Sequence, residues 1–146
     1  MIRKIIVPVR GDGKGDNVLA HAAVLARRFK AHVEVLHCRP RPQDMLPYGI
    51  PVPGFLKDQM QAQAAKLADE VESSLKAEFD TLMKQFGLLV SDVPVQGKAT
   101  AAWVEESGRQ VEVIKRHGRL ADLIAVAQPE KAGMLGVNSL KAALFH

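Results

Sequence analysis

The sequence IRKIIVPVR, residues 2–10, is followed directly by GDGKGD, residues 11–16. The apolar, mostly β-branched residues of the first segment suit a strand covered on both faces, as in the centre of a parallel sheet. Pro8 has no N–H, so the hydrogen-bonded ladder should weaken there, and Asp16 suits the N-cap of a following helix. A strand, a glycine-rich turn and a helix N-terminus present backbone N–H groups to an anion. This corner predicts an α/β fold whose ligand site follows the first strand.

Length and composition indicate one globular domain. The chain has 146 residues, of which 47% are apolar and 25% charged, as in ordinary globular domains. Its one cysteine excludes an internal disulfide framework and a cysteine-based metal cluster. The apolar runs are too short for a membrane span or a signal peptide. We therefore expect a cytoplasmic protein that does not bind membranes.

The basic balance of charge does not predict nucleic-acid binding. The formal net charge is +4, but the basic residues are scattered and accompany no RNA-binding or helix-turn-helix signature. Aromatic residues make up only 5% of the chain, which disfavours a base-stacking platform. A solvated basic surface is the favoured interpretation, and we expect no nucleic-acid partner.

The spacing of apolar residues predicts the remaining elements. The long helix has its apolar stripe at Leu67, Val71, Leu75, Phe79 and Leu82, which favours a surface helix packed on a sheet over a coiled coil. Residues 88–93 are ambiguous and suit a short strand. In chain order the pattern predicts a helix over 16–30, a strand over 32–38, an irregular proline-rich loop over 39–54, a helix over 55–86 that ends at Gly87, a strand over 101–106, a helix over 110–117, a central strand over 121–127 and a last helix over 140–145.

This order of elements resembles the universal stress protein family. KIIVPV, residues 4–9, looks like the family's opening strand, and VEESG, residues 104–108, like its strand, turn and helix start. ADLI, residues 121–124, is the most specific match, and SLKAALF, residues 139–145, is similar to the last helix of proteins with two such domains in tandem. The resemblance implies a single domain over residues 1–146. Its fold class is α/β, a Rossmann-like parallel sheet sandwiched by helices, of the adenine nucleotide alpha hydrolase-like kind.

The resemblance also implies a nucleotide site, because many members of the family hold ATP. The family has an aspartate just after the first strand, where this chain has Arg10, and glycines where it has Ala127 and Glu130. Arg10 cannot accept hydrogen bonds from a ribose, the Ala127 side chain limits close backbone approach, and Glu130 repels phosphate. By position, the residues that would hold the ligand are Pro8, Val9, Arg10, Gly11, Cys38, Ala127, Gln128, Gly136, Asn138 and Ser139.

These substitutions favour a degenerate ATP site in a stress-response domain that acts by binding and association, not by catalysis. Arg10 can still pair with a phosphate or carboxylate, so another anion stays open as a ligand. The alternative is a functional, slowly hydrolysing ATP-binding stress sensor that uses residues 136–139 as its phosphate cradle. A nicotinamide dehydrogenase is disfavoured, because Gly11, Gly13 and Gly15 lack the fingerprint spacing.

Two further features bear on sites and partners. His32 and His37 are five apart on a strand and so point to opposite faces, which excludes a metal site shared by these two residues. The family ends with a fifth strand, which is absent after His146, so the sheet is expected to lack its last strand. An open sheet edge recruits partners. We therefore expect self-association, or pairing with a second domain of this kind, through the fourth strand and last helix.

Overall fold

The computed structural model describes residues 1–10, 15–39, 41, 51–129 and 137–145, with the side chains of all of these except 137 and 138. Within these residues five parallel strands form one sheet in the order β3-β4-β2-β1-β5. The predicted Rossmann-like α/β sheet is confirmed. The strands are β1 (Lys4–Val9), β2 (His32–Arg39), β3 (Leu89–Val90), β4 (Thr100–Ser107) and β5 (Leu123–Ile124).

Helices cover both faces of the sheet. They are α1 (Gly15–Phe29), α2 (Gly54–Phe86), α3 (Gln110–Gly118) and α4 (Val137–Phe145). The larger core joins one face of the strands to α1 and to the end of α2, whereas Val113 of α3 packs with Ile6 and Leu36 on the opposite face. Helix α4 packs against α3. Gly87 ends α2 as predicted. Its φ of 70° is left-handed, and its N–H donates back to the carbonyls of the last turn of the helix.

Strand β1 is the centre of the core. Ile5, Ile6 and Val7 are fully buried, because alternate side chains point to the two helical layers. Its ladder with β2 runs the whole length of the strand, from Lys4 opposite His32 to Val9 opposite His37. The apolar run at the start of the sequence thus folds as the sequence predicts.

Pro8 explains why β5 is short. The carbonyl of Ile6 accepts the Ala125 N–H at 2.9 Å, so Ile6 faces β5, and Pro8, two residues on, faces the same side. Pro8 has no N–H to donate to this side, which weakens the ladder there, and β1 pairs with β5 only at Ile5 and Ile6. The prediction of a long central strand over 121–127 is therefore wrong: β5 has two residues, half-buried, at the edge of the described sheet.

The carboxylate of Asp122 fixes the entry to β5. Its Oδ2 accepts the backbone N–H groups of Arg3 at 2.8 Å and Lys4 at 2.9 Å, and its own N–H donates to the Lys4 carbonyl at 2.9 Å. The two backbone hydrogen bonds lower the pKa of Asp122 from its ordinary value of 3.8. Asp122 thereby ties the start of β5 to the start of β1, which is the physical role of the aspartate in ADLI.

Helix α2 is longer than the sheet that it covers. Its 33 residues span about 50 Å, against about 26 Å for an eight-residue strand. Leu75, Phe79 and Met83 near its C-terminus are buried, whereas Leu67 and Val71 are exposed. The predicted apolar stripe therefore packs only over its C-terminal part, and the first half extends past the carboxyl edge of the sheet.

The other boundaries differ little from the predictions. Residues 88–93 contain a two-residue strand, and the strand predicted over 101–106 extends by one residue at each end. The loop predicted over 39–54 lies mostly outside the described residues. No described helix is both long and apolar enough to cross a membrane.

Phe79 should be a major contributor to stability. It is 1% exposed and packs on Trp103, with ring centroids 5.6 Å apart. We expect Phe79→Ala to lower the free energy of unfolding by about 3–5 kcal/mol, because it leaves a large cavity. Phe55→Ala, on the same helix but 72% exposed, should change it by less than about 0.5 kcal/mol. Urea unfolding measures both, and equal effects would contradict the packing described.

Asp122 should make stability depend on pH at the acid end. Since its pKa is lowered in the folded chain, its contribution is complete above the pKa of the unfolded chain and is lost as the pH falls through the lower folded value. Asp122→Asn should therefore be less stable than the wild type at pH 7, with a difference that narrows below about pH 4. Urea midpoints against pH measure this, with the exposed Asp92→Asn as control. A constant difference at all pH values would show that the charge is unimportant.

Candidate functional site

A cavity lies at the corner that the sequence predicts as a ligand site. It has a volume of about 560 Å³ and is bounded by the first turns of α1 and the segment after β5. Such a volume suits a small-molecule ligand. Its described lining consists of Asp16, Asn17, Val18, His21, Ala125, Val126, Ala127 and Gln128.

The Asp16 side chain reduces the capacity of this corner to bind an anion. Helix α1 begins at Gly15, so Asp16 lies in the first turn and is not the residue before the helix. Its Oδ1 accepts the backbone N–H of Asn17 at 2.8 Å. Free N–H groups at a helix start are the ones that bind phosphate. Here a carboxylate of the chain occupies one of them and adds a negative charge to the cavity.

The structure brings together only some of the predicted nucleotide residues. Ala127 and Gln128 line the corner cavity. Pro8 and Val9 are buried in β1, and Arg10 is half-buried directly after it, but the described lining of the cavity does not include them. Gly11 and Gly136 lie outside the described residues, as does Glu130. The backbone of Asn138 lies in α4, and its side chain is not described.

Two further predicted residues, Cys38 and Ser139, are not among the described lining of the corner cavity. Cys38, near the end of β2, is half-buried, and its thiol donates to the Gly108 carbonyl at 3.0 Å. Ser139, in the first turns of α4, is 5% exposed, and its Oγ is buried without a hydrogen-bond partner. A buried hydroxyl without a partner costs about 1–3 kcal/mol. Ser139 therefore has hydrogen-bonding capacity that the described chain leaves unused.

A polar cluster lies at the carboxyl edge of the sheet, below α2. His37 and Glu105 are register partners on β2 and β4, and His37 Nδ1 lies 2.5 Å from Glu105 Oε1. The Trp103 indole donates its Nε1–H to Glu105 Oε2 at 2.9 Å and stacks on the His37 ring, with centroids 5.8 Å apart. These contacts fix the orientations of the imidazole and of the carboxylate.

The extension of α2 brings further charges to this cluster. Arg39 forms ion pairs with Asp69 at 2.6 Å and Glu72 at 3.4 Å, and donates to the Ala65 carbonyl at 3.2 Å. His37 and Arg39 also line an apolar cavity of about 440 Å³ whose other wall is α2. The part of α2 that extends past the sheet is therefore held by contacts with the end of β2.

A second polar network lies on the opposite face. Glu34 pairs with Lys4 at 2.8 Å, while Glu106 accepts from His117 Nε2 at 2.8 Å and pairs with Arg116 at 2.8 Å. The hydrogen bond from His117, more than any other contact, lowers the pKa of Glu106. These groups are mutually paired, so they tie α3 to the sheet.

A basic cavity of about 400 Å³ follows β4. Arg41, Arg109 and Arg116 line it beside Ser107 and Gly108, and Glu112 adds one carboxylate. Gly108 has φ 120°, a conformation that favours glycine. The surplus of arginine makes this cavity a second place where an anion can approach the carboxyl edge of the sheet.

Sequence reasoning missed the α1 residues of the corner and the partners of His37. Asn17 and His21 belong to one helix face, since the Asn17 carbonyl lies 2.8 Å from His21 Nδ1. Their position directly after the glycine turn could have indicated that they line the corner cavity. Glu72 and Glu105 are far from His37 in sequence. Only the strand register and the path of α2 bring them together.

A solved structure with a TM-score above 0.5 shows the same fold. Universal stress protein UspA from Lactobacillus plantarum superposes with a TM-score of 0.64 at 14% identity, over 95% of this chain and 88% of that one. A universal stress protein from Archaeoglobus fulgidus gives 0.48 at 16% identity, over 96% and 92%. A universal stress protein in complex with cAMP gives 0.40 at 13% identity, over 84% and 70%, which is too distant to transfer its ligand.

A search of curated proteins gives no match to this chain. The sequence profile described as the universal stress protein family, in contrast, matches residues 1–135. That range contains all five described strands and the corner cavity. The chain therefore belongs to the universal stress protein family.

Proposed function

We propose that this chain is a stress-response domain that acts by binding and association, and that its corner cavity does not hold ATP. The observation that carries the proposal is the Asp16 carboxylate, which lines the cavity and accepts the Asn17 N–H at 2.8 Å. A triphosphate at this helix start would have to displace the carboxylate and would be repelled by it.

The strand side of the cavity supports the same conclusion. Ala127 lines the cavity where the family resemblance has a glycine, so its side chain occupies space that a glycine would leave for a close ligand. Arg10 stands where the resemblance has an aspartate, and a guanidinium has no acceptor for ribose hydroxyls. A nucleotide thus loses contacts at both its ribose and its phosphates.

A functional ATP-binding sensor is the second candidate, and Ser139 is the observation that favours it. The buried Ser139 Oγ has no hydrogen-bond partner. It belongs to the segment 136–139 that the resemblance identifies as a phosphate cradle. A phosphate oxygen would satisfy this hydroxyl.

ATP binding separates the two candidates. We expect isothermal titration of the wild type with ATP and Mg²⁺ to give no saturable heat up to millimolar concentration, and denatured protein to release no adenine absorbance. Both follow from the repulsion by Asp16 and the lost contacts at residues 10 and 127.

Micromolar binding would instead support the sensor. In that case Ser139→Ala should weaken it at least about tenfold, because a hydrogen bond to a charged group contributes about 1.5–3 kcal/mol. Ser74→Ala, which changes an exposed serine in α2, is the matched control and should bind ATP as the wild type does.

Self-association is the second part of the proposal. Strand β5 lies at the edge of the described sheet and is only half-buried. Large apolar side chains are exposed at Leu120, just before β5, and at Leu144 and Phe145 of α4. Exposed apolar side chains and a strand at a sheet edge are both typical of a protein interface. A second copy, or another domain of the same kind, is the proposed partner, and the cytoplasm is the proposed location.

Sedimentation equilibrium at micromolar concentration tests the association. We expect a dimer for the wild type and a shift to monomer for Leu144→Glu and Phe145→Glu, because each places a charge in the proposed interface. Val24→Glu, which changes an exposed apolar residue on the opposite layer in α1, should remain a dimer. A wild type that is monomeric throughout this range would contradict the proposal.

A further inference from the structure

We propose that His37, Glu72 and Glu105 form a binding site for a divalent transition-metal ion at the carboxyl edge of the sheet. The three residues come from β2, α2 and β4, and one potential ligand atom of each lies within 4.8 Å of the other two. A nitrogen and two carboxylate oxygens from three separate elements form a chelating set, whereas an ordinary ion pair needs only two groups.

The His37–Glu105 pair is already positioned as a pair of ligands. His37 Nδ1 and Glu105 Oε1 are hydrogen-bonded at 2.5 Å. Ligand bonds of about 2.0–2.2 Å place neighbouring donor atoms roughly 3–3.5 Å apart. An ion therefore requires this pair to open slightly and the Glu72 carboxylate to approach. The neutral imidazole binds the ion through the Nδ1 lone pair in its Nε2–H tautomer, so that a proton lost from Nδ1 is balanced by one that Nε2 takes from solvent.

Trp103 contacts two of the proposed ligands in the way that the outer partners of a metal site do. Trp103 Nε1–H donates to Glu105 Oε2 at 2.9 Å, which holds Oε1 toward His37. The stacking of Trp103 on the His37 ring fixes the plane of the imidazole. Such outer contacts fix the orientation of metal ligands and raise affinity.

Glu72 can move toward the ion, because Arg39, its present ion-pair partner, has a shorter ion pair with Asp69. Arg39 lies 3.4 Å from Glu72 but only 2.6 Å from Asp69, and it also donates to the Ala65 carbonyl. When Glu72 turns to the ion, Arg39 keeps two of its three contacts. Its charge stays balanced by Asp69.

The donor set selects the class of metal. One imidazole and two carboxylates suit Zn²⁺, Fe²⁺ and Mn²⁺, whereas Mg²⁺ and Ca²⁺ prefer oxygen ligands alone and Cu⁺ prefers sulfur. Among these ions Zn²⁺ binds most strongly to a given nitrogen and oxygen set. The cavity of about 440 Å³ that His37 lines leaves room for the water that completes the coordination.

Zinc titration of the untagged protein tests the site. We expect calorimetry with ZnCl₂ to give one saturable site per chain. Glu72→Gln and Glu105→Gln should weaken binding at least about tenfold, because loss of a ligand costs no less than the 10–100-fold typical of outer partners. Glu72 is half-exposed on a helix, so its variant should fold even where His37→Ala does not.

Trp103 supplies a local readout, since it is the chain's only tryptophan. Co²⁺ bound beside His37 should quench its fluorescence saturably, and excess Zn²⁺ should reverse the quenching. The matched controls are His21→Ala, on α1, and Glu70→Gln, an exposed acid two residues from Glu72. Both should leave Zn²⁺ affinity and quenching unchanged.

Three results would overturn the proposal: the absence of saturable Zn²⁺ binding, binding that Glu72→Gln and Glu105→Gln leave intact, or Zn²⁺ binding without any effect of Co²⁺ on Trp103. In each case the His37–Glu105 contact is only a hydrogen bond within the fold. ATP binding and dimerisation do not depend on these residues, so the outcome is independent of the function proposed above.

Discussion

The hydrogen bonding of β1 on both of its sides is the constraint on which the rest of the sheet depends. On one side its ladder with β2 includes all six residues, and on the other Pro8 stops the ladder with β5 after Ile6. A single missing N–H therefore weakens the ladder at the point where the described strand β5 ends. Residues 126–128 lie beyond this ladder, and with Ala125 they form one wall of the corner cavity.

Local chemistry explains why most of the fold could be predicted. The apolar run of β1, the helix spacing of α1 and the glycine that ends α2 act over a few residues, and each is visible in the sequence. The ADLI segment was recognisable as a pattern, but the sequence does not show what its aspartate does. Only the structure shows that Asp122 accepts the N–H groups of Arg3 and Lys4, where β1 begins, more than a hundred residues earlier in the chain.

The errors come from interactions at long range. The apolar composition of residues 121–127 indicated a central strand, but strand length depends on what the neighbouring strand can donate, and Pro8 cannot donate. Likewise the apolar stripe of α2 indicated a surface helix packed on the sheet, but the sheet is shorter than the helix, so only the C-terminal part of the stripe is buried. Neither limit can be read from the segment itself, because each is set by its neighbour.

At the carboxyl edge of the sheet, strand alternation and parallel register together decide which polar side chains meet. Side chains along β2 and β4 alternate between the helical layers, so the apolar Val35 and the polar His37 belong to the α2 face, whereas Cys38 belongs to the other. Parallel register places His37 opposite Glu105, and it equally places Cys38 opposite Glu106. The sequence shows each residue type but not this pairing. An acidic residue at the corner after β1 therefore does not prevent a polar cluster one strand away, because strand alternation and register maintain that cluster independently of the residues after β1.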